Sequence, residues 1–163
     1  MRVPLFDLER QYSAVKDELT NNIRERCIDT AGFINGEEVA TFERLFAERI
    51  GVKHSIGVSS GTDALLVAFM ALKESYGWKD GSEVLVTPFT FVASATSILR
   101  AGLTPVFVDL APDAFMPGVA EYQAAMTKDT VAILAVHLFG ECQQEFDKIQ
   151  VLAQANGLLI VED

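Results

Sequence analysis

Apolar residues recur along the first third of the chain at the spacing of helix faces. Leu8, Tyr12, Val15, Leu19 and Ile23 fall three or four apart with charges between them, which predicts an amphipathic helix from about Leu8 to Ile28. Residues Asp29 to Gly36 read DTAGFING, turn-forming residues around the Phe33–Ile34 pair, and predict a loop with an apolar tip. Val39, Phe42, Phe46 and Ile50 then line one face of a second helix that Gly51 ends.

Beyond this point the rhythm changes. Short apolar runs at Ser55–Val58, Glu83–Thr87, Pro105–Asp109, Val131–Val136 and Leu158–Val161 predict five strands. Helical stretches separate them: SSGTDALLVAFMAL after the first, Ala93–Arg100, Pro117–Met126 with proline in its first turn, and Gln143–Asn156. Strand and helix alternate, and several strands are apolar on both faces. That pattern predicts an α/β domain, a mostly parallel sheet with helices on both faces. The division expected is a helical lead-in at residues 1–52 followed by the α/β domain at 53–163. The chain stops at the tip of a core strand, where a loop should begin, which suggests a truncated product or a fragment.

Composition narrows the function. Half of the 163 residues are hydrophobic and the formal net charge is -10, an ordinary globular balance that argues against a basic face for nucleic acid. The start, MRVPLFDLERQY, has no signal-peptide core, and no run is long enough to cross a bilayer; the expected location is the cytoplasm. Cys27 and Cys142 lack metal-ligand spacing and read most simply as reduced thiols, with a disulfide between them as the alternative. No metal site is expected.

Three strand ends carry candidate chemistry. SSGTDAL, Ser59–Leu65, joins a strand end to a helix start, where free N–H groups and the helix dipole suit an anion; Gly61 permits close approach and Thr62 adds a hydroxyl. Ser60 and Asp63 also have the spacing of a helix cap, and the two readings are compatible. In PFTFVAS, Phe89 and Phe91 are either core residues, the usual fate of an aromatic, or a plate for a flat ring. Asp163 closes the apolar run LLIV, where it is poorly placed for stability and well placed to pair with a cationic ligand atom. Glu162 should point the opposite way. His137 reads as structural, and Asp109 as a cap or a supporting group. A phosphate cradle, an aromatic plate and an acid together match pyridoxal phosphate, whose ring nitrogen works best protonated.

The stretches VPLFDLERQY, FINGEEVATFERLFAERIGVKHSIGVSSGTDAL, VLVTPFTFVASATSILRAGLTPVFVDL, AILAVHLFG and GLLIVED resemble the DegT/DnrJ/EryC1/StrS family of sugar aminotransferases, of fold type I among pyridoxal phosphate enzymes. The resemblance covers almost the whole chain and implies the incomplete large domain of such a transferase. It implies that Gly61, Thr62 and Asp63 form the cofactor-phosphate loop, that Phe91 stacks on the ring, and that Asp163 pairs with its nitrogen. Phe33 and Gly36 would lie near the sugar-nucleotide pocket. It further implies L-glutamate as amino donor, a nucleotide-linked keto-sugar as acceptor, and a homodimer. The family's Schiff-base lysine has no counterpart here, as Lys128 and Lys148 fall outside its motif, so the chain is expected to be inactive alone. A non-catalytic or regulatory member, or a related sugar dehydratase, is the alternative. A dehydrogenase-type domain ranks low, because no GxGxxG follows the first strand.

Overall fold

The computed structural model describes residues 7–34 and 36–163. The chain divides into two compact units, Met1–Gly57 and Val58–Asp163.

The first unit is helical. Helix α1, Leu8–Asn22, is capped by Asp7, whose carboxylate accepts from Arg10 N–H at 3.1 Å. It runs on into a π-helical segment, Ile23–Ile28, so the predicted helix spans its full length but widens in its last turns. Helix α2, Glu37–Ile50, ends at Gly51, whose φ of 79° gives the left-handed turn that stops it. The predicted strand at Ser55–Val58 is absent. Gly57 donates its N–H to the Glu43 carboxylate at 2.6 Å rather than to a neighbouring strand, and Ile56 is exposed.

The second unit is the α/β layer: α3 Gly61–Tyr76, β1 Glu83–Val86, α4 Val92–Arg100, β2 Thr104–Phe107, α5 Val119–Ala125, β3 Thr130–Ala135, α6 Phe146–Ala155 and β4 Leu159–Glu162. The four strands lie in the order β2-β1-β3-β4, and every pairing is parallel. Alternation along the strands shows why both faces are apolar. Val84, Val86, Ala132 and Leu134 pack with Leu65 and Phe69 of α3 and Ile98 of α4. Leu85 and Ile133, one residue out of step, pack with Tyr122 of α5 and Ile149 of α6. Helices therefore cover both faces, as a parallel sheet requires.

Two helix starts differ from the sequence reading. Helix α5 begins at Val119, beyond Pro117, because the Glu121 carboxylate accepts from Gly118 N–H at 3.0 Å and fixes Gly118 as the cap. Helix α6 begins at Phe146 rather than Gln143, because Glu145 is left-handed (φ 54°) and the buried Gln143 donates its side-chain amide to the Pro117 carbonyl at 2.6 Å.

Strand β2 is an edge. Thr104 donates to the Ser82 carbonyl just before β1 and Val108 to the Val86 carbonyl at its end, so Pro105 turns its nitrogen, which has no hydrogen, toward the open side. The connection leaving β1 goes to β2 and that leaving β3 goes to β4, in opposite directions. In such sheets the carboxyl ends beside this reversal form the natural ligand crevice.

Candidate cofactor cleft

A cleft of about 280 Å³ opens at the carboxyl edge of the sheet, lined among others by Gly61, Thr62, Phe91, Ser94 and Asp163. Four residues singled out from the sequence, drawn from three stretches distant along the chain, thus meet in one place. The volume is close to the lower end of small-ligand pockets, roughly 300 Å³.

Each wall has a local cause. Ser60 is extended (φ -161°, ψ 163°) and its hydroxyl accepts from Asp63 N–H at 3.1 Å, while its carbonyl accepts from Ala64 N–H at 2.9 Å. These bonds start α3 and leave the N–H groups of Gly61 and Thr62 without a protein acceptor among the described residues. A side chain at Gly61 would meet nothing within 4 Å, so the backbone there is open to an incoming group. Asp63 does not line the cleft. Its carboxylate accepts from Ser59 Oγ at 2.5 Å and Ser60 Oγ at 2.9 Å, and these two hydroxyls hold its carboxyl below the usual carboxylate range. The helix cap and the open anion site coexist, with Asp63 on the cap side.

Phe91 caps α4 with no side-chain hydrogen bond and is 73% exposed. The core reading therefore fails for it, and an aromatic face borders the cleft instead. Phe89 is half-exposed and stacks on Phe115 at 6.1 Å between ring centroids.

Strand parity places the acid. Leu159 and Val161 face the α3–α4 side and Ile160 faces the α5–α6 side. Asp163 continues the first set and reaches α4, where its Oδ2 accepts from Ser94 Oγ at 2.5 Å. Asp163 also extends the ladder: its N–H donates to Ala135 O at 2.9 Å and its carbonyl accepts from His137 N–H at 2.8 Å. Glu162 turns the other way and pairs with His137 Nε2 at 3.0 Å; His137 Nδ1 accepts from Gln143 N–H at 2.9 Å, so the ring is held from both sides. Asp109 Oδ1 accepts from the adjacent Leu110 N–H at 2.8 Å. Cys27 and Cys142 are free thiols.

Sequence reasoning passed over Ser94. Its signal was present: Thr90 and Ser94 are four apart in PFTFVAS, and the two hydroxyls lie 3.0 Å from each other. Phe33 and Gly36 belong to the first unit. Phe33 is exposed at the loop tip, and Gly36 caps α2 in extended geometry.

The sequence profile of the DegT/DnrJ/EryC1/StrS aminotransferase family matches residues 14–163. The chain belongs to this family. It is 39% identical, over 100% of its length, to the pleiotropic regulatory protein of Geobacillus stearothermophilus. It is 38% identical, over 99% of its length, to the UDP-N-acetyl-3-dehydro-alpha-D-glucosamine 3-aminotransferase of Acidithiobacillus ferrooxidans. It spans 42% of the length of each of these relatives. Among solved structures it superposes on S. venezuelae DesV in complex with a ketimine intermediate, with a TM-score of 0.88 and 35% identity, covering 99% of this chain and 42% of that one. The family member described here thus carries the fold of the aminotransferases it resembles. Among its described residues no helix is long and apolar enough to cross a membrane, and no group of His, Cys, Asp and Glu is disposed to hold a metal.

Proposed function

We propose that the whole protein is a pyridoxal phosphate-dependent aminotransferase that passes an amino group from glutamate to a keto-sugar carried on a nucleotide, and that these residues build its cofactor cradle. The observation that carries this reading is the meeting of Gly61, Thr62, Phe91 and Asp163 in one cleft. The donor set fits the group: two free N–H groups and a hydroxyl for a phosphate, an exposed aromatic face for a ring, and a carboxylate for a protonated nitrogen. When bound, the cofactor supplies an electron-withdrawing ring that stabilises negative charge at the reacting carbon.

The chain's own residues hold and orient. Gly61 and Thr62 take the phosphate, with Asp63 fixing the helix start behind them. Phe91 covers one face of the ring and keeps water from it. Asp163 holds a proton on the ring nitrogen. Phe33 and Gly36 contribute to the sugar-nucleotide pocket. No lysine lines the cleft, so these residues bind the cofactor without turning over substrate. Residues 1–52 act as a helical lead-in to the cofactor-binding part at 53–163, and the whole protein works as a cytoplasmic homodimer.

Titration of the chain with pyridoxal phosphate, followed by the cofactor's absorbance and fluorescence, tests the cradle. Saturable binding is expected, weakened about tenfold or more in Asp163→Asn, because a hydrogen bond between charged groups is worth about 1.5–3 kcal/mol. Equal binding by both proteins rules the reading out. The similarity to a protein named as a pleiotropic regulator favours a second reading, a cofactor-binding regulator. Glutamate-dependent amination of a nucleotide keto-sugar by the whole protein separates the two.

A further inference from the structure

We propose that Ser94, backed by Thr90, is a positioning residue that sets the orientation of the Asp163 carboxylate toward the cleft. This deepens the reading of Asp163 given above and rests on it for its function, though not for its geometry.

Ser94 lies in the first turn of α4 and is 1% exposed, one of only a few buried polar side chains among the described residues. Its hydroxyl is 2.5 Å from Asp163 Oδ2 on one side and 3.0 Å from Thr90 Oγ1 on the other. A serine hydroxyl has one proton, and an ionised carboxylate only accepts. The Ser94 proton is therefore committed to Asp163, and Thr90 must donate to Ser94. The direction of the chain is fixed: Thr90 to Ser94 to Asp163. Each bond polarises the next, so the Asp163 end is strengthened.

The consequence is a carboxylate with two unlike oxygens. Oδ2 is tied back to the rigid start of α4, while Oδ1 has no protein partner among the described residues and stays available to a cation in the cleft. Asp163 is otherwise exposed and would sample several rotamers. Strand β4 supplies its direction and Ser94 its rotamer. Because α4 also carries Phe91 as its cap, one helix start positions both the aromatic face and the acid.

The test uses Ser94→Ala, Ser94→Thr and Thr90→Val in the full chain. In the ligand-free protein, three-bond Hα–Hβ couplings of Asp163 are expected to report one rotamer in the unsubstituted chain and in Ser94→Thr, and averaging in Ser94→Ala. Unchanged couplings in Ser94→Ala overturn the proposal whether or not any cofactor binds. With pyridoxamine 5′-phosphate as probe, Ser94→Ala is expected to weaken binding about tenfold and Thr90→Val less. The 15N shift of the labelled ring nitrogen should move toward its unprotonated position in Ser94→Ala and stay in place in Ser94→Thr, which keeps the hydroxyl. If Asp163→Asn leaves affinity intact, the reading of Asp163 fails, while the couplings still decide the relay. If Asp163→Asn weakens binding and Ser94→Ala does not, the relay alone is refuted. Thermal unfolding of each variant checks that it folds; should Ser94→Thr be too crowded, Thr90→Val carries the comparison.

Discussion

Replacing Phe91 with alanine separates the two roles an aromatic residue can have. Full burial of such a ring is worth about 1.5–3 kcal/mol. Phe91 is 73% exposed, so only about a quarter of that burial exists, roughly 0.4–0.8 kcal/mol. It makes no side-chain cap bond, so no cap is lost with it. The expected loss of stability in Phe91→Ala is therefore below about 1 kcal/mol. Phe69, with 0% exposure, is the control, and its replacement by alanine should cost about 3–5 kcal/mol. Stacking against a flat ring is worth about 0.5–1.5 kcal/mol beyond area, so Phe91→Ala should weaken pyridoxal phosphate binding about 2- to 12-fold. Urea unfolding followed by Trp78 measures the first quantity, since it is the only tryptophan and packs on the α3–α4 side of the sheet. Cofactor titration measures the second. A loss of 3 kcal/mol or more, or unaltered affinity in a folded variant, refutes the assignment.

Two further predictions concern stability. The Tyr122 hydroxyl is buried with no hydrogen-bond partner among the described residues, so Tyr122→Phe should be neutral or stabilise by up to about 1 kcal/mol in the same urea assay. Burial pushes that phenol above its ordinary range, so the folded protein holds the proton longer than the unfolded chain. Its contribution is complete below about pH 10 and is lost as pH rises beyond, a decline that Tyr122→Phe should lessen. Ser60→Ala should destabilise by about 1 kcal/mol through loss of the cap of α3. The Ser59 and Ser60 hydroxyls lower the Asp63 carboxyl in the folded state, so their contribution is present above the unfolded value of 3.8 and fades as pH falls through the lower folded value. The acid limb of the stability curve should flatten in a Ser59→Ala, Ser60→Ala double variant.

Much of this was legible in the sequence because it follows from local pattern. The two-sided apolar runs of β1 and β3 announced a covered parallel sheet, and LLIVED encoded through simple alternation which acid faces which side. Gly61, Thr62 and Asp163 are candidates by their place at the ends of elements, whereas Phe91 reads first as core and takes its ring-facing role only from the family resemblance. What was missed depends on side chains that capture particular backbone or side-chain groups, some near in sequence and some far. Ser55–Val58 looks like a strand, but its backbone is captured by the Glu43 carboxylate. The starts of α5 and α6 are set by the side chains of Glu121 and Gln143 reaching backbone groups that no periodicity reveals. Ser94 was overlooked because its partner lies 69 residues away.

The proline in β2 makes the sheet lopsided as a template. On that border the outward donor at Pro105 is missing, so an approaching strand would find a gap in its ladder. The opposite border, Leu159–Glu162, has no proline and keeps its outward donors. Among the described residues the β4 border, next to the acid that faces the cleft, therefore presents the more continuous row of outward donors.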